Sequence, residues 1–219
     1  MGRLSRALAH EIRNPVAMIS SSLARAVRPG QNDEEREEMF AIAAKEATRL
    51  ERLTTDFLLY ARPRTAQLAL GNFADTLNYV ATVARAYAAN KGVALDVSAA
   101  EELEGEFDAT QIQQALLNLV LNAIDACHRG DSVRLNAEQN GNGSIRIDVV
   151  GSAAPIPPEV AERIFEPLFT TKPGGNGLGL PIARNIARAH GGDVVLGSNQ
   201  PGRVCFSIEI PSHGSQSAQ

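Results

Sequence analysis

Cysteine is scarce: Cys127 and Cys205 are the only two in 219 residues and lie far apart. They have neither the density of a disulfide scaffold nor the spacing of a metal site, so a reducing, cytoplasmic setting is expected. An excess of positive charge is also missing. The formal net charge of −4 gives no electrostatic footprint for nucleic acid or an anionic membrane surface. No apolar run approaches the length of a membrane span, and no apolar leader follows Met1. The stretch is expected to be soluble, either free or as the cytoplasmic part of a longer membrane-bound parent. Aromatic residues make up only 5%, while 44% hydrophobic and 21% charged residues describe a globular chain of one large or two ordinary domains. There is no internal repeat.

What is present begins with RALAHEIRNPVAMI, residues 6–19. Leu4, Leu8, Ile12, Val16, Ile19, Leu23 and Val27 recur every three or four residues, predicting a helix with one buried stripe. At about 100° per residue, His10 lies about 200° around the axis from Leu8. It should face water. Pro15 lacks a backbone N–H and crowds the carbonyl of residue 11, which predicts a bend near the middle of the helix. RPGQNDEE then breaks the chain and starts a second helix capped by Asn32 or Asp33. Met39, Ile42, Leu50, Leu53, Phe57 and Tyr60 give that helix its own stripe. Two long helices joined by a short turn make an antiparallel hairpin. With so few aromatic residues it can hardly close a core alone, so a second copy is expected, giving a dimeric four-helix bundle.

From about residue 68 the pattern becomes mixed. FADTLNYVATVARAYAANKG predicts a helix ending at Gly92, and VALDVS a strand. DATQIQQALLNLVLNAIDACHRG predicts a helix ending at Gly130. SVRLNAEQ and GSIRIDVV predict a β-hairpin around an Asn/Gly turn, LPIARNIARAHGG another helix, and DVVLGS with GRVCFSIEIP the closing strands. Helices on one face of a mixed or antiparallel sheet make an α/β sandwich. The expected division is 1–67 for the hairpin, 68–211 for the sandwich and a disordered tail over 212–219.

Asn118 and Asn122 are four apart and share a helix face. A carboxamide oxygen suits Mg²⁺, which completes its shell with waters and phosphate oxygens. Further on, Gly174, Gly175, Gly177 and Gly179 precede a helix whose positive end favours anions, and they let the backbone approach phosphates closely. Lys172 can add a charge to the same phosphates. No strand leads straight into this loop and GK[ST] is absent, so dinucleotide-fold and P-loop readings fit poorly.

AHEIRNP, LLNLVLNAIDA, RIFEPLFTTK and GGNGLGLPIARNIARAHGG, in this order and at these separations, resemble the catalytic core of sensor histidine kinases, over residues 4 to about 211. The resemblance implies a dimerisation and histidine-phosphotransfer hairpin followed by a GHKL-type ATP-binding domain. It implies His10 as phosphoacceptor, Glu11 as acceptor of the other ring proton, and Asn14 as a residue that can orient a water for dephosphorylating a response regulator. Asn122 matches the family's Mg²⁺ ligand and Asn118 its neighbour at the phosphates of ATP. Lys172, Gly175, Gly177, Leu178 and Gly179 match the lid and second glycine box, and Phe165 and Phe169 the aromatic pair beside the lid. The implied partners are a second copy of the chain and the receiver domain of a cognate response regulator.

The match breaks at one end of the pocket. Family members carry Asp-x-Gly-x-Gly before IPPE, whereas this chain reads GSAAPIPPE. Gly151 stands in place of the aspartate that accepts the adenine amino group, Ala153 in place of the first glycine and Pro155 of the second. Val204 stands where a hydroxyl supports the same network. Asp148 is no substitute, because strand alternation puts it on the opposite face. The residues thus leave two readings: an ATP-dependent autokinase with weak or base-relaxed binding, or a nucleotide-impaired pseudokinase acting as a phosphotransfer or phosphatase module or a scaffold.

Overall fold

Asn32 starts the second helix as a complete capping box. Its side chain accepts from the Glu35 N–H at 2.8 Å and its own N–H donates to the Glu35 carboxylate at 3.3 Å. This computed structural model describes residues 2–100, 102–172 and 174–211, with side chains at Arg6 and from Leu8 onward. The tail expected over 212–219 and the side chain of Leu4 lie outside the described residues. The chain divides into two compact units, Met1–Arg62 with Glu166–Leu178, and Pro63–Phe165 with Gly179–Gln219.

In the first unit α1 (Gly2–Ala26) packs along α2 (Asp33–Ala61). α1 stays helical through Pro15. The face it buries differs from the expected stripe. Pro15, Ser22 and Ala26 are buried, while Val16, Leu23 and Val27 remain 43%, 42% and 78% exposed. Pro15, Ser22 and Ala26 fall within about 20° of one line on the helix, whereas Val16, Leu23 and Val27 stand about 100° away. Small residues on the buried line let α2, with Met39, Ala43 and Leu53 buried, approach closely. The larger apolar side chains form a second face that one copy leaves open.

The second unit holds a five-stranded sheet and a two-stranded ribbon. The sheet contains β2 (Ala94–Ala99), β4 (Ser132–Gln139), β5 (Ile145–Gly151), β6 (Asp193–Gln200) and β7 (Arg203–Ile210), in the order β2-β4-β5-β7-β6. β2 and β4 run parallel; the remaining pairs are antiparallel. On this sheet pack α3 (Phe73–Lys91), α4 (Ala109–Ala126) and α6 (Gly179–Ala189), while α5 (Pro158–Ala161) is a single turn. Leu77, Val80, Ile112, Leu116, Leu119, Ile124, Leu135 and Ile147 are fully buried and form the core. The expected α/β sandwich is what forms.

Two departures have local causes. α4 ends at Ala126, not Gly130, because Cys127 turns extended and the His128 N–H bonds to the Asp131 carboxylate. β1 (Ala69–Asn72) and β3 (Glu104–Phe107) pair antiparallel, though ALGN and EGEF carry no alternation. Their glycines explain the pairing. Phe73 and Phe107 stack with centroids 4.0 Å apart, and a Cβ at Gly105 would come within 3.0 Å of the Phe73 ring.

Candidate functional site

His10 is exposed on α1, on the side away from Pro15, Ser22 and Ala26. Glu11, next to it, turns partly toward α2, where its carboxylate lies 3.7 Å from the Arg49 guanidinium. Arg49 also reaches the Glu46 carboxylate at 3.6 Å, so one cation is shared by two acids. Asn14 is exposed.

The segment Glu166–Leu178 is a loop closed at its neck by a Leu168 N–H to Gly177 carbonyl bond of 3.0 Å. Leu168 has φ 66° and Gly177 φ 63°. A Cβ at Gly177 would meet the Leu168 carbonyl carbon and the Phe169 oxygen at 2.6 Å, so only glycine fits there. Gly175 is confined too, since its Cβ would come within 2.8 Å of the Thr170 hydroxyl. Lys172 is half-buried in this loop, and Leu178 is buried. Asn176 accepts from the Leu178 N–H at 3.1 Å and donates its amide to the Asp56 carboxylate. Sequence reasoning passed over Asn176; the asparagine between Gly175 and Gly177, the type that caps tight turns, was the available signal.

In the second unit α4 brings Asn118 and Asn122 against the first residue of α6. A Cβ built on Gly179 would lie 3.5 Å from the Asn122 amide nitrogen and 3.7 Å from the Asn118 carboxamide. Two carboxamides and a helix N-terminus thus converge on one spot, and this donor set suits a hydrated Mg²⁺ with phosphate oxygens. Phe165 meets Phe206 edge-on at 6.4 Å and carries the Arg184 guanidinium 4.7 Å above its ring. Phe169 is half-buried in the loop of the first unit.

The base end looks different. Gly151 closes β5 and lies between Val133 and Val204 in register. Its missing side chain would point at Ala123 and at the Cys127 thiol, 3.6 and 3.7 Å from an ideal Cβ. Cys127 and Cys205 are free thiols, and burial pushes both above the ordinary thiol range. Ala153 is buried. The segment after Gly151 is tied down by residues that the sequence reading did not single out. The Ser152 hydroxyl accepts from the Ser132 N–H at 2.8 Å and donates to the Ser132 carbonyl at 3.2 Å. Asn199 holds both backbone groups of Ile156 at 2.7 Å. Pro155 is exposed. Asp148 points to the other sheet face, where it accepts from Ser207 at 2.6 Å and Arg146 at 2.9 Å.

Two family models match. Residues 1–66 match the His Kinase A (phospho-acceptor) domain, and residues 107–214 the histidine kinase-, DNA gyrase B- and HSP90-like ATPase. The catalytic domain of histidine kinase ThkA is 33% identical, with 96% of that chain and 67% of this one covered at a TM-score of 0.61. The chain belongs to the sensor histidine kinases. Its membership spans both units: ThkA solved with response regulator TrrA superposes over 96% of this chain and 61% of that one, with TM-score 0.82 and 31% identity. Sensor histidine kinase ZraS of Salmonella typhimurium is 34% identical over 96% of this chain and 46% of its own length. ShkA, solved full-length with AMPPNP, is 27% identical over 96% of this chain and 46% of that one, with TM-score 0.73. The chain spans about half the length of the curated relatives it matches. Among the described residues no helix is long and apolar enough to cross a membrane.

Proposed function

We propose that the chain is an ATP-dependent autokinase that phosphorylates His10 and passes the phosphoryl group to an aspartate on a response-regulator receiver domain. The observation that carries this reading is that one chain holds both an exposed imidazole on α1 and, in its second unit, a carboxamide-lined helix N-terminus suited to Mg²⁺ and phosphates. An imidazole nitrogen attacks the γ-phosphorus, the bond to the β-phosphate bridging oxygen breaks, and ADP leaves with the electron pair. Glu11 accepts the hydrogen of the other ring nitrogen and so holds the nucleophile's tautomer. Its pairing with Arg49 keeps that carboxylate oriented across the hairpin. Asn14 serves a separate hydrolysis on the regulator: it orients a water that attacks the phosphorus of the aspartyl phosphate, freeing the carboxylate and releasing inorganic phosphate. Asn122 is the metal ligand, Asn118 its neighbour at the phosphates, and Lys172 with Gly175, Gly177, Leu178 and Gly179 forms the lid and anion end. When bound, Mg²⁺ neutralises charge developing on the β- and γ-phosphate oxygens.

The functional species is a homodimer, because Val16, Leu23 and Val27 expose an apolar face on α1 that a second hairpin covers in a four-helix bundle. We assign residues 1–67 to a phosphotransfer module and 68–211 to a nucleotide-binding module, and place both in the cytoplasm. ATP is bound weakly and with little preference for its base, since Gly151 and Val204 offer the adenine amine no acceptor.

A second reading is favoured by that same pair and by the tied-down Ser152–Ile156 segment: a nucleotide-impaired module that receives or removes phosphoryl groups supplied by another kinase. Titration with Mg-ATP and Mg-GTP, followed by an acid-labile phosphohistidine assay, separates the two. The autokinase reading requires saturable binding and label that vanishes in His10→Gln. Absence of binding at millimolar nucleotide eliminates it in favour of the second.

A further inference from the structure

At about 100° per residue, Asn118, Asn122 and Asp125 fall within about 60° on α4, so the phosphate-side stripe continues through Asp125. Gly179 of α6 closes one part of that stripe. α3 supplies another: Tyr87 donates its hydroxyl to Asp125 Oδ1 at 2.6 Å, and the Lys91 ammonium reaches the same oxygen at 2.5 Å. The ammonium also stands 5.3 Å from the centroid of the Tyr87 ring. Asp125 holds the Lys91 pKa above the ordinary lysine range, so its charge is present throughout the neutral region.

This arrangement places a carboxylate on a surface whose other members suit a polyanion. A bare Asp125 would repel phosphate at this range, and Asn118 and Asn122 carry no charge to offset it. Lys91, on a flexible stem and 37% exposed, neutralises Asp125, and its ammonium has further N–H donors that a ligand on this surface can use. We propose that Lys91 is a phosphate-binding residue of the nucleotide site, held toward the phosphates by Asp125 and Tyr87. The proposal rests on the nucleotide-binding reading of Asn118, Asn122 and Gly179. Neither Lys91 nor Tyr87 was singled out in the sequence, because both lie on α3, far in the chain from the glycine-rich loop.

The competing explanation is mechanical: Lys91 and Tyr87 staple α3 to α4 and touch nothing else. The two differ in sign. A staple is broken alike by Lys91→Met and Asp125→Asn, so both variants should change nucleotide affinity in the same direction. A phosphate-binding cation is lost only in Lys91→Met, whereas Asp125→Asn removes the repelling charge and keeps the cation. The full chain and its variants are titrated with Mg-ATP and with Mg-tripolyphosphate, which has no base and so bypasses the Gly151 end, alongside thermal melting. Lys91→Met should weaken both ligands about tenfold. Lys91→Arg should stay within about threefold of wild type, and Asp125→Asn should bind at least as tightly as wild type. Unchanged affinity in Lys91→Met, or parallel weakening in Lys91→Met and Asp125→Asn, overturns the proposal while leaving the nucleotide reading intact. A wild-type chain that binds neither ligand overturns both.

Discussion

Gly151 and Val204 face each other across the β5–β7 ladder. The two positions at which the resemblance expects polar side chains are therefore one cross-strand pair, at the end of β5 and the start of β7, and neither member carries a polar side chain. The backbone there is intact. Gly151 is not in the left-handed region, and an ideal Cβ makes only ordinary contacts with Ala123 and Cys127. An aspartate can be put back without steric conflict at its first atom.

Gly151→Asp should accordingly tighten ATP by one to two decades, since a hydrogen bond to a charged acceptor is worth about 1.5–3 kcal/mol. GTP, which presents a carbonyl where adenine presents its amine, should gain nothing. Calorimetric titration of both nucleotides against both proteins reads this directly. Equal gains for the two, or none for either with the fold intact, would show that Gly151 is not at the base.

In the loop of the first unit, Gly177 and Gly174 both have positive φ, 63° and 77°, but only Gly177 is also crowded. Gly174→Ala should cost roughly 1–2 kcal/mol of local stability from the backbone alone. Gly177→Ala must in addition displace the Leu168–Phe169 backbone, so the neck bond between Leu168 and Gly177 should open. Limited digestion with a nonspecific protease checks this. Cleavage within 166–178 should rise sharply for Gly177→Ala and modestly for Gly174→Ala; similar rates would contradict the geometry.

Long elements were legible in the sequence because they repeat: the α1–α2 hairpin, the Gly92 stop of α3 and the β4–β5 hairpin all follow from apolar period and turn residues. The β1–β3 ribbon was not, since four-residue strands joined across α3 and held by Phe73 on Phe107 have no local period. The same division holds at the site. Asn118, Asn122 and the glycines announce themselves by spacing. Asn199, Ser152 and Lys91 act through partners distant in the chain, and a spacing rule has no access to such contacts. The buried face of α1 shows a third cause: Leu23 and Val27 carry the period, yet Ser22 and Ala26 are the residues small enough for close helix approach.

Asp193 should govern acid stability at the start of β6. Hydrogen bonds from Arg184, at 2.7 and 2.9 Å, hold its carboxyl at about 2, below the ordinary carboxylate range, with the Val194 N–H and Arg188 adding to the effect. A depressed folded-state pKa stabilises above the unfolded value and is lost as pH falls through the folded one. Asp193→Asn should therefore melt below wild type at pH 7, by a small margin because the pair is partly exposed. The gap should close as pH falls from about 4 toward 2. A gap that persists unchanged at pH 2 would mean the difference is packing and not charge.

The open face of α1 makes the strongest demand on assembly. Val16, Leu23 and Val27 stand together, and burying side chains of this kind is worth about 1.5–3 kcal/mol each. If a second hairpin covers them, the chain sediments as a dimer, and Leu23→Glu weakens association by a decade or more because a carboxylate is driven into the interface. The mutation should leave the monomer's fold unharmed, since Leu23 is already 42% exposed in one copy. Sedimentation velocity over a concentration series, with circular dichroism as the control for helix content, distinguishes the outcomes. A wild-type chain that stays monomeric at high concentration would remove the four-helix bundle, and the proposed autophosphorylation of His10 would then have to occur within a single chain.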